Sequence, residues 1–378
     1  MYIQRFYDDL DKKLIAGIVL VIYGPRQVGK TTLVDYYLKN NFVGKYKFDS
    51  GERINLRHLF ESKDVKLLLE YCENYDLIVI DEAQKIANIG EGLKLIVDNM
   101  PNLKLIVTGL SSFELAGQIG EPLTGRKKTV TLFPVSVLEL SKEYNNYELK
   151  EKLPELLVYG SYPEIFKEND FKEKQDLITD LMESYLLKDI LELDKIKSSK
   201  ILVNLLRMLS YQIGSEVSLS ELGQKLSIDS KTVSRYIDLL EKSFVIFSLS
   251  AFSRNLRKEI VKKNKYYFYD LGIRNALIAN FNKLELRNDV GQLWENFLII
   301  ERIKKQHYTK LYANNYFWRT WSKQEIDWIE ERDGNIFAYE FKWSNKQKAK
   351  IPSQWLEGYP NSEFIVINNE NYLEFISQ

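Results

Sequence analysis

The sequence predicts an α/β protein. A parallel sheet covered on both faces comes first, followed by a helical segment, a helix-turn-helix with a β-ribbon, and a second α/β region. Three observations carry this. Up to residue 140, unbroken apolar runs of strand length alternate with helically spaced stretches, the pattern of strands buried on both faces. From Lys200 the pattern turns to capped amphipathic helices. Beyond Arg254 strands return, separated from the first set by the helical middle.

GIVLVIYG is a short apolar run ending in glycine, and TTLVDYYLKN after it has helical spacing. KYKFDS, DLIVIDE and NLKLIVTG read as further strands, and KKTVTLFPVS closes the series. Residues 141–195 are charged, Leu-rich and helical, broken only by YGSYPE. KILVNLLRMLSYQI reads as an amphipathic helix. SLSELGQKL starts on a serine cap with Glu221, and SIDSKTVSRYIDLLEKS is a second capped helix after a short turn. With the strand FVIFSLSAF, this is the layout of a winged helix-turn-helix. The helix GQLWENFLIIERI and strands around WRTW, EIDWIE, IFAYEFKW and EFIVINN complete the chain. The expected domains are 1–140 (parallel-sheet core), 141–195 (helical lid or linker), 196–255 (winged helix) and 256–378 (C-terminal α/β).

The 378 residues, 45% hydrophobic and 28% charged, suffice for two or three cores and exclude a disordered chain. Cys72 is the only cysteine, which excludes an intrachain disulfide and a cysteine zinc site. His58 and His307 are the only histidines, so any metal is expected to be a hard cation on carboxylates. The opening MYIQRFYDDLDKKL lacks an apolar signal-peptide core. The longest apolar stretch, Ile18 to Tyr23, is far below the roughly 18 residues that span a bilayer. A cytoplasmic chain with no membrane partner is the expectation.

Lys and Arg balance Asp and Glu at 53 each, but unevenly: between Ile196 and Gln324 the basic residues outnumber the acidic two to one. A basic block on an otherwise acidic chain points to a polyanion partner.

Gly24-Pro25-Arg26-Gln27-Val28-Gly29-Lys30-Thr31 matches the P-loop pattern in full, after an apolar strand and before a helix. Backbone N–H groups of such a loop, running on through Thr32, curl around phosphate oxygens, and the helix N-terminus adds positive potential. Lys30 is placed to reach the β- and γ-phosphates, and the Thr31 hydroxyl to ligate Mg²⁺. LIVIDE supplies the second half: Asp81 ends a buried strand where it can hold the Mg²⁺ shell, and Glu82 can activate the attacking water. This predicts nucleotide hydrolysis rather than binding alone. Thr108, or Ser111 just beyond it, is a candidate γ-phosphate sensor, with a Ser/Thr helix cap as the competing reading. Arg126 in LTGRKK is a candidate arginine finger acting in a neighbouring subunit, against a solvated loop arginine; Arg26 is the weaker candidate.

These motifs together resemble the prokaryotic AAA-type ATPases that carry winged-helix and restriction-endonuclease-like parts at the C-terminus. The resemblance rests on GPRQVGKT, LIVIDEAQK, IVTG, the GR of LTGR, LFPVSVLEL, YGSYPE, YLLKDI, KYYFYDLGIRNAL, GQLWENFLI, EIDWI and YEFK, in that order. Family members often carry a small serine where this chain has Leu110, and leucine and phenylalanine at Val135 and Val137. The resemblance implies ATP binding and leaves the biological role unassigned.

Lys231, Thr232, Ser234 and Arg235 lie near the start of the second capped helix, where a recognition helix meets phosphates and base edges. Arg254, Arg257, Lys258, Lys262, Lys263 and Lys265 follow with only Glu259 opposing them, a run suited to DNA phosphates. A protein-interaction module with a solvated charged face is the other reading.

In EIDWIEERDGNIFAYEFKW, Asp333-Gly334 is a two-residue hairpin turn. Opposed residues then pair Glu331 with Ile336, Ile329 with Ala338 and Asp327 with Glu340, while Lys342 shares the face of Glu340. Asp, then Glu-x-Lys on the next strand, is the layout of the PD-(D/E)xK nucleases, in which carboxylates bind Mg²⁺ and the lysine handles the attacking water. Glu295 matches the helical glutamate that such folds add. A second Mg²⁺ or Mn²⁺ site is therefore a candidate here, against a surface ion network or a nuclease fold kept for binding. The expected activity is Mg²⁺-dependent ATP hydrolysis coupled to DNA, in a chain that an arginine finger would require to oligomerise. A DNA-binding switch without cleavage, and a scaffold ATPase without nucleic acid, stay open.

Overall fold

Three of the apolar runs lie side by side at the centre of one sheet because they have no polar side to give to water. β1 (Val19–Tyr23), β3 (Leu77–Asp81) and β4 (Lys104–Gly109) are flanked by β2 (Tyr46–Ser50) and β5 (Lys127–Thr131) in the order β2-β3-β4-β1-β5, all parallel. β1 and β3 are buried at every position, whereas the edge strands are only partly buried and expose Tyr46 and Thr129. Helices α1 (Lys30–Asn40), α2 (Ile54–Ser62), α3 (Val65–Cys72) and α4 (Ile89–Asn99) cover it. On one face Ile78, Ile80, Leu105 and Val107 pack with Phe60 of α2 and Leu93 and Ile96 of α4. Asp64 caps α3, its carboxylate accepting from Lys66 N and Leu67 N. Parallel pairing brings the C-terminal ends of β1, β3 and β4 to one edge, where open α/β sheets bind ligands.

The computed structural model describes residues 2–110, 122–183, 199–253, 263–347 and 349–377. The chain divides into two units, Tyr2–Pro134 with Lys242–Phe244, and Val135–Glu241 with Val245–Gln378. The five-stranded sheet belongs to the first.

In the second unit, α5 (Asn146–Tyr159) begins in a capping box between Asn145 and Glu148, and α6 (Phe171–Met182) follows the break at Gly160. The helical expectation over residues 184–195 lies outside the described residues. Three helices come next: α7 (Ser199–Ser210), α8 (Leu219–Leu226) and α9 (Ser230–Lys242). β6 (Ile246–Ala251) and β7 (Lys265–Phe268) pair antiparallel, Phe247 opposite Tyr267. Between β7 and the remaining strands run α10 (Leu271–Leu277) and α11 (Val290–Thr309).

β6 also pairs parallel with β8 (Asn314–Arg319), giving a six-stranded sheet of order β11-β10-β9-β8-β6-β7. The boundary expected between residues 255 and 256 therefore falls inside one hydrogen-bonded sheet. β9 (Glu325–Arg332) and β10 (Asn335–Phe341) form the predicted hairpin, with Asp333 and Gly334 both at positive φ and Ile336 opposite Glu331. β11 (Glu363–Ile367) adds in parallel to β10. α11 is buried on most sides, and several of its charges are paired. Arg302 grips Glu330 in two bonds of 2.5 and 2.8 Å, and Lys304 donates to Glu301 at 2.6 Å. Among the described residues no helix is long and apolar enough to cross a membrane.

Candidate functional site

The loop after β1 is shaped by two glycines. A Cβ at Gly24 would stand 2.1 Å from the Leu132 carbonyl oxygen, and Gly29 holds φ +93° at the start of α1. Lys30 is buried and donates to the Gly24 and Pro25 carbonyls, both at 2.9 Å, so the ammonium folds back into its own loop. One turn of contact further, Thr31 donates to Asp81 Oδ2 at 2.8 Å. Thr108, buried at the end of β4, donates to Asp81 Oδ1 and accepts from the Glu82 N–H at 3.2 Å. Glu82 itself sits in the left-handed region at φ +49°, and its carboxylate accepts from the Gln84 side-chain amide. Thr31, Asp81, Thr108 and Glu82 thus form one connected chain beside the loop. Hard oxygen donors at Thr31 and Asp81, next to a glycine loop with a buried lysine, fit Mg²⁺ and a triphosphate.

Sequence reasoning missed Arg5. Its guanidinium is buried and donates to the Val28 carbonyl at 2.5 Å and the Phe133 carbonyl at 2.6 Å, clamping the loop to the chain that leaves β5. No local pattern announces it, because its partners lie 23 and 128 residues away. Arg126 lies at the opposite edge of the sheet from the loop: its carbonyl accepts from Val19 N at the start of β1, and its Nε pairs with Asp98 at 2.9 Å. It is outside its own chain's loop site. Ser111 lies outside the described residues.

The carboxylates of the second unit do come together. The register runs to Tyr339 opposite Trp328, one step short of Glu340 and Asp327. Asp327 accepts from Phe341 N at 2.8 Å, and Lys342 donates to Glu340 at 2.6 Å. Glu295 reaches the same cluster from α11, accepting from the Tyr267 hydroxyl at 2.6 Å. Loss of solvent, then the Glu295 and Glu340 charges, push Asp327 well above the usual carboxylate range.

Lys265 is the member that the sequence misplaces. Counted there with the solvent-facing basic run, it is instead 1% exposed, paired with Glu325 and 3.5 Å from Glu295. Burial opposes its charge, but Glu295, Glu325 and Asp327 outweigh that and hold the ammonium above its ordinary range. The cause is topological: the β6–β8 pairing puts β7 in the same sheet as β9, with β6 and β8 between them, where the Lys265 side chain reaches Glu325, which no local pattern reveals. Among the described residues, no three His, Cys, Asp or Glu side chains are arranged to hold a metal ion.

The basic block is thinned in the same way. Arg274 and Arg287 are buried against Asp289, Arg302 against Glu330, and Lys304 against Glu301. Facing solvent on α9 are Ser230, Lys231, Ser234, Arg235 and the acidic Asp238, opposite an apolar face of Val233, Tyr236, Ile237 and Leu240. Asp229 caps this helix through Thr232 N at 2.8 Å. Lys263 is exposed, whereas Arg254, Arg257, Lys258 and Lys262 lie outside the described residues.

With this geometry in place, comparison with known proteins is specific for the first unit. Residues 17–141 match the family described as an AAA domain. Residues 150–284 and 290–377 match two domains of unknown function, DUF8612 and DUF4143. An uncharacterised protein of Mycobacterium tuberculosis is 27% identical over 343 residues, 88% of this chain and 72% of that protein. One of Haemophilus influenzae is 24% identical over 392 residues, 98% of this chain and 93% of that one. Among solved structures, the Walker-type ATPase of Pyrococcus abyssi is similar over 69% of this chain and 91% of its own, at 18% identity and a TM-score of 0.44. Residues 17–141 are thus similar to AAA domains, in agreement with the P-loop geometry at Gly24–Thr31.

Proposed function

We propose that the chain is a Mg²⁺-dependent ATPase whose cycle is coupled to DNA binding by the second unit. The observation that carries the reading is the chain of bonds from Thr31 through Asp81 and Thr108 to Glu82. In this reading the backbone from Gly24 to Thr32, with Pro25, Arg26, Gln27 and Val28 between the glycines, cradles the triphosphate. Lys30 exchanges the Gly24 and Pro25 carbonyls for β- and γ-phosphate oxygens. Thr31 and Asp81 hold Mg²⁺, which supplies charge neutralisation at the phosphates when bound. Glu82 orients a water on the γ-phosphorus and takes its proton as the bond to ADP breaks. Thr108 keeps Asp81 and the Glu82 backbone in register, the role we assign it in place of a distant sensor. Arg126 acts, if released from Asp98, on a neighbour's nucleotide in a homo-oligomer.

For the second unit we read α7 to α9 with the β6–β7 ribbon as a winged helix, and β8 to β11 with α11 as a restriction-endonuclease-like frame. Lys231, Arg235 and Lys263, with Arg254, Arg257, Lys258 and Lys262, are the proposed phosphate contacts. A second reading, an interaction ATPase whose nuclease-like part does not cut, is favoured by the burial of Lys265 among the carboxylates. DNA-stimulated ATP hydrolysis tests the coupling: stimulation that disappears with Lys231→Ala/Arg235→Ala supports it. An ATPase rate indifferent to every DNA form would leave the interaction reading.

A further inference from the structure

We propose that the Lys265 ammonium is the resident cation of the carboxylate cluster. It takes the place of a divalent ion, so this half of the protein binds its ligand without cutting phosphodiester bonds. The inference deepens the nuclease-like reading of the C-terminal sheet and rests on it.

Four carboxylates converge, and each is already engaged by a group of this chain. Glu325 and Glu295 face the Lys265 ammonium, the latter at 3.5 Å. Asp327 accepts from the Phe341 N–H at 2.8 Å, and Glu340 from Lys342 at 2.6 Å. A metal ion coordinating Glu295 and Asp327 would have to sit beside the Lys265 charge, and like charges at that range in a poorly solvated pocket repel strongly. Lys265 cannot withdraw to water. It is 1% exposed, its backbone is held opposite Leu249 of β6, and the backbone of Glu216 bridges to it.

The position of Lys265 also explains why a cation is needed there at all. β7 closes the ribbon behind α9, while Glu295 lies on α11 and Glu325 on β9. The ammonium therefore ties the ribbon to the helix and hairpin of the nuclease-like frame, the cross-link that a metal would otherwise supply. Without it, carboxylates from three elements would repel one another.

Mn²⁺ binding by the full chain tests this, read by electron paramagnetic resonance and thermal melting in an Asp81→Asn background that removes the P-loop metal. That background is expected to bind no Mn²⁺ through the cluster, and its Tm to be indifferent to the ion. Adding Lys265→Met is expected to lower Tm, to create one Mn²⁺ site with affinity raised at least about tenfold, and to let Mn²⁺ restore Tm. Saturable Mn²⁺ binding with Lys265 intact, lost on Asp327→Asn, or metal-dependent DNA cleavage lost on the same substitution, would overturn the proposal. A folded Lys265→Met protein that gains no Mn²⁺ site would instead overturn the nuclease-like reading beneath it. Should Lys265→Met fail to fold, comparison of Asp81→Asn with and without Asp327→Asn decides the matter alone.

Discussion

Thr31 donates to Asp81 at 2.8 Å across 50 residues of chain, and Thr108 donates to the other oxygen of the same carboxylate. The two oxygens of Asp81 are thereby divided between the loop helix and β4. The hydroxyl that holds Asp81 also receives the N–H of Glu82. A single buried threonine thus holds the Asp81 carboxylate and the Glu82 backbone, two residues proposed for different tasks.

Thr108→Val keeps the volume and removes both bonds, leaving a buried N–H and carboxylate oxygen short of partners at a cost of about 1–3 kcal/mol. ATP hydrolysis is expected to fall by at least about tenfold with ATP affinity little changed, and Thr108→Ser to restore it. Steady-state hydrolysis alongside nucleotide titration measures the split.

Arg5→Ala strips the clamp from the Val28 and Phe133 carbonyls. Charged hydrogen bonds of this kind contribute about 1.5–3 kcal/mol each, so the first unit is expected to melt lower and to bind ATP more weakly. Arg5→Lys, which lacks the two-pronged donor, is expected to recover only part of the loss.

Arg302→Ala leaves Glu330 fully buried with its two strongest bonds gone. Breaking one side of such a pair costs about 3–5 kcal/mol. Urea unfolding is expected to show the second unit destabilised while nucleotide binding by the first persists.

Lys231→Ala/Arg235→Ala removes two cations from the exposed face of α9. DNA affinity is expected to fall and the slope of log K against log salt to shrink by about two. Binding measured at several salt concentrations reads both, and unchanged values would remove α9 from the interface.

The P-loop, Asp81 and the hairpin were legible because each is a contiguous pattern with a fixed local geometry. GPRQVGKT follows its strand directly, and Asp333-Gly334 imposes the register that sets Asp327 near Glu340. Arg5 and Lys265 were not legible, since each works through partners brought near only by the sheets. Charge counting overstates the exposed basic surface for the same reason: Arg274, Arg302 and Lys304 add to a basic total but spend their charge on buried carboxylates. Composition records how many cations exist, whereas burial decides which of them a polyanion can meet.

The central claim is that the loop at Lys30 grips a triphosphate that Glu82 helps to split. Measuring ATP binding and hydrolysis for the intact chain, Lys30→Ala and Glu82→Gln tests it most directly. The account predicts Mg²⁺-dependent turnover by the intact chain, loss of binding with Lys30→Ala, and retained binding with turnover slowed at least about a hundredfold with Glu82→Gln. An intact chain that binds no nucleotide, or Glu82→Gln turning over at the unmodified rate, would contradict it.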